Sequence, residues 1–273
     1  MWAEDRGMDK GGRVSQTETG FPPGKAGGAP AASVLSGESF MNISAIEANS
    51  FLDYPGKLSC VVFLQGCNYD CFYCHNRGLI ERVNGALGYQ EVVDFLKSRQ
   101  GFLQAVVISG GEPTLNQDLG LLIRQAKALG YLVKLDTNGS RPHMLSSLLG
   151  EGGIDYVALD VKAPWERYRE IGGAGADPKS VQESLSLLAS WKEARKEFQL
   201  EVRTTLAPTL TFADLRQIAT DLVQSASWTI NAYRVPPSYR EEDVGRIHLP
   251  PTVLGEVEEG ILRSMHPALM LRR

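Results

Sequence analysis

The chain has 273 residues, 43% of them hydrophobic, and 28 Lys and Arg against 32 Asp and Glu give a formal net charge of -4. That is enough apolar material for a substantial α/β core, and it excludes fibrous and disorder-dominated classes. Lys and Arg are scattered rather than striped, four cysteines are too few for a disulfide framework, and no apolar run approaches the ~18 residues of a membrane span, so a cytoplasmic protein without nucleic-acid or membrane partners is expected.

Residues 1–40 are rich in Gly, Pro, Ala and Ser, as in Phe21-Pro22-Pro23-Gly24-Lys25-Ala26-Gly27-Gly28, with no apolar period. This composition predicts a disordered extension. Met41-Asn42-Ile43-Ser44-Ala45-Ile46 reads as a first strand, so translation from Met41 is also expected, a point that mass spectrometry of the native N-terminus decides. Residues 41–240 are predicted to form one α/β unit, and residues 241–273 a helical extension with a helix over Thr252 to Met265.

From Leu58 onward, short β-branched runs alternate with amphipathic stretches, the pattern of parallel strands joined by crossover helices. Strands are predicted at Leu58 to Leu64, Ala105 to Ser109, Leu132 to Asp136, Tyr156 to Val161, Leu200 to Thr205 and Thr229 to Val235. Helices are predicted near Tyr89 to Arg99, Asp118 to Leu129, Pro142 to Leu149, Ser180 to Glu197 and Ala213 to Ser225. Six such units make roughly three-quarters of a closed (β/α)8 barrel. A partial barrel and a doubly wound sheet both satisfy this pattern.

After the first of these strands comes Gly66-Cys67-Asn68-Tyr69-Asp70-Cys71-Phe72-Tyr73-Cys74-His75-Asn76, with three residues and then two between the thiols. Cys71 to His75 alone spells a covalent haem signal, but the chain's first residues lack the apolar core of an export signal, and haem leaves Cys67 idle. A structural zinc would need His75 or Cys60 as a fourth ligand from the same crowded stretch. A dithiol pair also leaves Cys67 unused. Three thiolates on an iron–sulfur cluster use all three and leave one iron open.

Polar groups recur where later strands end, the usual position of ligand sites in parallel α/β folds. Ser109 runs into Gly110-Gly111-Glu112-Pro113-Thr114, where glycines permit close backbone approach to a ligand and Glu112 brings a carboxylate. The next strand ends in Asp136-Thr137-Asn138-Gly139, the next in Asp160-Val161-Lys162, and the next in Arg203-Thr204-Thr205. Any one is compatible with an ordinary turn; four in succession beside a cysteine loop point to a site.

These motifs resemble the radical S-adenosylmethionine (SAM) enzymes, and within them the small activating enzymes of glycyl-radical proteins. Over roughly Ile43 to Val235, Leu52-Asp53-Tyr54-Pro55-Gly56-Lys57-Leu58-Ser59 and Gly66 to Asn76 are most similar to activators of anaerobic ribonucleoside-triphosphate reductase. The pyruvate formate-lyase activator is similar too. The resemblance implies a partial (β/α)6 barrel. It implies a [4Fe-4S] cluster on Cys67, Cys71 and Cys74, with SAM chelating the fourth iron. Gly110, Gly111 and Glu112 would hold the methionine amino end, Asp136, Asn138, Lys162 and Arg203 would lie beside the cofactor, and Tyr73 would lie near the adenine. Asp136, Thr137 and Asp160 match positions that bind a monovalent cation in the pyruvate formate-lyase activator. One-electron reduction, with a flavodoxin or ferredoxin as donor, would give methionine and a 5'-deoxyadenosyl radical that takes hydrogen from a backbone glycine of a partner enzyme, in an anaerobic setting.

Two departures qualify the likeness. A His expected near the last strand is replaced by Asn231-Ala232-Tyr233-Arg234-Val235-Pro236-Pro237, and Cys60 alone lies outside the cluster loop, so one cluster is expected. The competing readings are a radical SAM enzyme for a small molecule, of the carboxy-deazaguanine synthase type, and a non-enzymatic iron–sulfur carrier.

Overall fold

A computed structural model describes residues 41–272 apart from 82 and 84; the expected disordered extension lies outside the described residues. An eight-stranded sheet runs in strictly sequential order: β1 (Ile43–Ser50), β2 (Ser59–Leu64), β3 (Ala105–Gly110), β4 (Leu132–Thr137), β5 (Tyr156–Asp160), β6 (Gln199–Thr205), β7 (Ser227–Asn231) and β8 (Leu269–Arg272). β1 is antiparallel to β2, and every later pair is parallel. The crossovers carry α1 (Tyr89–Ser98), α2 (Leu119–Ala128), α3 (Pro142–Glu151), α4 (Tyr168–Gly172), α5 (Pro178–Ala194), α6 (Phe212–Asp221), α7 (Val244–Ile247) and α8 (Glu256–Met265).

That order decides between the two architectures left open above. A doubly wound sheet reverses direction at a switch point, whereas right-handed crossovers that always step the same way keep the helices on one face. The fold is therefore the singly wound, open α/β arrangement expected of a partial barrel, and β1 and β8 are not paired with each other.

Local chemistry places the helices. Asp177 caps α5 by accepting from Lys179 N and Ser180 N, with Pro178 in the first turn, and Thr211 and Asp214 form a reciprocal capping box at α6. Strand alternation then separates two faces. Val62, Val106, Ile108, Val133, Leu135, Val157, Leu159, Val202 and Trp228 are buried in the large helix-facing core, each contributing roughly 1.5–3 kcal/mol by burial. On the inner face Val61, Ala105, Val107, Tyr54 and Tyr156 form a small apolar floor. Above it the same face carries Lys134, Asp136, Asp160, Glu201 and Arg203.

The sequence-derived strands and helices all have counterparts, with three corrections. The strand placed at Thr229 to Val235 ends at Asn231, ahead of the Pro236-Pro237 pair. α4 and α7, too short to show a period, were not anticipated. The C-terminal segment is not purely helical: Leu269–Arg272 adds β8 to the sheet by pairing with β7.

Candidate functional site

The cysteine loop leaves the carboxyl end of β2 and is held by its own backbone. Gly66 N and Cys67 N donate to the carbonyls of Leu79 and Ile80 at 2.8 and 3.0 Å, Asp70 N to that of Gly172 at 3.0 Å, and Cys74 N to that of Cys71 at 3.1 Å. None of the three thiols is in a disulfide. Tyr69 N donates to Cys67 Sγ at 3.4 Å, and the Asn76 N–H serves Cys74 in the same way. Backbone N–H groups aimed at sulfur favour thiolate ligands.

Burial pushes the Cys67 thiol up to about 12 and the Cys71 thiol up to about 11, with Lys162 opposing in both cases. The metal-free loop therefore holds its protons, and ligation by iron displaces them. Among the described residues no three His, Cys, Asp or Glu side chains converge as a single ion would require. A four-iron cluster instead takes thiolates on separate irons, and three free thiols on one N–H-lined loop fit that group.

The two glycines at the end of β3 are closely packed. A Cβ on Gly110, whose φ is +118°, would lie 2.4 Å from Leu64 N, and one on Gly111 would lie 2.2 Å from Gly66 O. The close approach they permit is to the chain's own β2 exit, which seats the cysteine loop against β3.

Glu112 is likewise turned inward. It is 0% exposed, and its carboxylate accepts from Thr114 N at 3.0 Å, from the Thr114 hydroxyl, from Thr137 Oγ1 at 2.8 Å and from Asn138 N at 2.6 Å. Burial pushes this carboxyl up, and the four donors oppose it. These bonds knot the end of β3 to the end of β4. That knot aims Asn138, whose Nδ2 reaches Asn68 Oδ1 of the cysteine loop at 3.0 Å and lies 3.9 Å from Cys67 Sγ.

Beside the loop, charges alternate across three strands. Lys134 Nζ lies 3.0 Å from Asp136 Oδ1, Arg203 reaches Asp136 Oδ2 at 3.1 Å and Asp160 Oδ1 at 3.0 Å, and Lys162 Nζ lies 3.3 Å from Asp160 Oδ2. Ser109 Oγ also donates to Asp136 Oδ2 at 3.1 Å. Burial works against charge on Asp136 and Asp160, yet Arg203 foremost, with Lys134 and Lys162, holds both carboxyls below the usual range. Burial also opposes charge on Lys162, but Asp160, Cys71 and Tyr73 together hold its ammonium well above the usual range. Tyr73 itself is buried, edge-on to Phe72 at 5.3 Å. Lys162 and Arg203 form charge-assisted contacts of the kind a cofactor carboxylate would use.

Asp136, Asp160, Asp214 and Asp243 all have depressed carboxyl pKa values, so each binds fewer protons folded than unfolded. Their stabilisation is complete above the ordinary carboxylate range near about pH 4 and is lost as pH falls through the folded values. Glu112 contributes in the opposite sense. A stability profile by circular dichroism from neutral pH downward is expected to fall steeply in that acid window, and Asp160→Asn to flatten it; an equal slope in the variant would remove Asp160 from the account.

Several contributors were not legible in the sequence. Asp70 bonds Arg77 at 2.7 Å and Arg240 at 2.8 Å. Arg240 in turn bonds Asp243 at 2.6 Å, and Asp243, 0% exposed, also pairs with Arg246. The Arg246 guanidinium stands 4.4 Å over the Phe72 ring, and His75 Nε2 lies 2.9 Å from Arg234 O. The segment after β7 is thereby latched over the cysteine loop. Gly175 lies beneath it, where a Cβ would meet Asn68 O at 2.5 Å. No helix among the described residues is long and apolar enough to cross a membrane.

Residues 61–222 match the model of the radical SAM superfamily, more than half of the chain. A Methanocaldococcus jannaschii protein provisionally named a glycyl-radical enzyme activating enzyme is 35% identical over 205 residues, 73% of this chain and 83% of that protein. A Thermococcus kodakarensis protein provisionally named GTP 3',8-cyclase is 28% identical over 134 residues, 47% of this chain and 43% of that protein. Streptococcus suis SuiB bound to S-adenosylmethionine superposes with a TM-score of 0.56 at 12% identity, covering 77% of this chain, which spans about half (48%) of SuiB. TYW1 gives a TM-score of 0.50 at 18% identity, over 76% of this chain and 72% of TYW1. With the cysteine loop, the strand-end constellation and the family match in agreement, the chain belongs to the radical SAM superfamily.

Proposed function

We propose that this protein is an activating enzyme that places a glycyl radical on a partner enzyme, anaerobic ribonucleoside-triphosphate reductase being the partner suggested by the motif likeness. The observation that carries the reading is the 35% identity, over most of both chains, to the M. jannaschii relative. Cys67, Cys71 and Cys74 would hold a [4Fe-4S] cluster. Bound together, cluster and SAM supply one-electron cleavage of the sulfonium, giving methionine and a carbon radical that takes a hydrogen atom; a flavodoxin or ferredoxin would replace the electron.

The chain's own residues orient that chemistry. Lys162 and Arg203 would meet the cofactor carboxylate, Asn138 would stand beside the open iron, and Tyr73 would pack near the adenine. Glu112, Gly110, Gly111 and Asp136 act one step back, by fixing the ends of β2, β3 and β4. Among the described residues β1 and β8 do not pair with each other, and a sheet left open in this way suits a substrate that is part of another protein.

Anaerobic reconstitution with iron and sulfide, reduction with dithionite and assay for 5'-deoxyadenosine tests the cleavage step. A loaded cluster that yields none defeats the enzyme reading and leaves a carrier. Co-incubation with anaerobic ribonucleotide reductase is then expected to produce a doublet electron paramagnetic resonance signal. The Thermococcus likeness supports a second reading, a radical enzyme for a small molecule. GTP consumption without any protein partner would favour that reading and overturn the activase.

A further inference from the structure

Lys134 is a charged side chain buried beside the candidate site. It is 2% exposed on the inner face of β4. Its ammonium donates to the Asp53 carbonyl at 2.7 Å, lies 5.2 Å from the Tyr156 ring centre, and is 3.0 Å from Asp136 Oδ1. A lysine so deep keeps its place only where fixed partners replace water. Here they are a carbonyl, an aromatic face and a carboxylate.

Among the described residues Asp136 Oδ1 has no hydrogen-bond partner and faces only the Lys134 ammonium at 3.0 Å, whereas Oδ2 accepts from both Ser109 and Arg203 at 3.1 Å. Arg203 spans the gap between Asp136 and Asp160, the two carboxylates expected from the family resemblance to hold a monovalent cation. The third expected donor, Thr137, has its hydroxyl held between Glu112, to which it donates at 2.8 Å, and Gly139 N, from which it accepts at 3.1 Å. Lys134, Arg203 and Lys162 together set three positive charges against the two carboxylates. These groups already neutralise Asp136 and Asp160, so a metal cation there would add to a local excess of positive charge. The expected cation and the residues present do not fit.

We infer that Lys134 and Arg203 are tethered cations that occupy the Asp136–Asp160 position, so that this protein needs no monovalent metal ion there. The inference rests on the SAM reading only for the identity of the ligand; the occupancy of Asp136 does not depend on it.

The test uses the full chain with its cluster reconstituted, dialysed against rubidium chloride in tetramethylammonium buffer, with and without SAM, and bound rubidium counted by elemental mass spectrometry. Wild type is expected to retain no rubidium above buffer in either condition, and to melt at the same temperature in potassium, sodium and tetramethylammonium chloride. Saturable rubidium uptake by wild type overturns the inference without any variant. Lys134→Met frees Asp136 Oδ1, and this variant is expected to take up rubidium and to melt about 3 °C higher in potassium than in tetramethylammonium. A folded variant that takes up none overturns the role of Lys134. If wild type binds neither rubidium nor SAM, the SAM reading fails while the cation result stands.

Discussion

Alanine at Cys67, Cys71 or Cys74 is expected to lower SAM cleavage to the level of the dithionite blank and to strip most of the iron from reconstituted protein. Each thiol would hold its own iron, so a loop with two ligands cannot keep the cluster in place. The fold is expected to survive, because these side chains sit on a loop whose anchors are backbone bonds, and each truncation costs about 1 kcal/mol. Cys60→Ala is the control. Cys60 is 0% exposed on the helix-facing side of β2, and burial pushes its thiol up to about 12, so it is a packing residue rather than a nucleophile. Its variant should lose a similar amount of stability and keep full iron, full charge-transfer absorbance and full cleavage. Loss of the cluster in Cys60→Ala would make Cys60 a fourth ligand and remove the open iron.

The second large effect is expected at Glu112. Glu112→Ala leaves two backbone N–H groups and two hydroxyls without an acceptor in the dry interior, a loss of about 4 kcal/mol. Glu112→Gln is milder, about 2 kcal/mol, since one amide oxygen can still accept but the new amide donor must face another donor. Because the knot aims Asn138 at the cysteine loop, both variants should also weaken SAM binding, measured by equilibrium dialysis at a temperature where each is folded. A Gln variant with wild-type melting and binding would contradict the four-donor arrangement.

Much of this was legible from local pattern. Valine and isoleucine runs marked the central strands because each is buried on its helix-facing side, and cysteine spacing marked the loop because here the three thiols lie within eight consecutive residues, Cys67 to Cys74. β8 escaped because four residues after a Pro267-Ala268 turn carry no measurable alternation. At Gly110 and Gly111 the sequence signals a close approach without saying to what, and the fold puts the backbone of Leu64 and Gly66 against them. Glu112 and Asp136 are expected from the sequence as ligand contacts, and the fold adds their partners within the chain, which spacing does not reveal. A carboxylate at a strand end looks the same in sequence whether it faces a cofactor or four donors of its own chain. Lys134 passed as an ordinary strand residue because its partners, Asp53 and Tyr156, come from distant segments. The Asp70, Arg240 and Asp243 latch resembled solvated surface charge until the fold brought its parts together.

That latch also sets an order of events during synthesis. Asp70 and Arg240 are separated by 170 positions, so at about 5–20 residues per second the cysteines emerge roughly 10–30 s before the arginine that will brace them has been made. Through that interval the loop can draw on its own backbone bonds to Leu79 and Ile80, and the side-chain latch closes over it last.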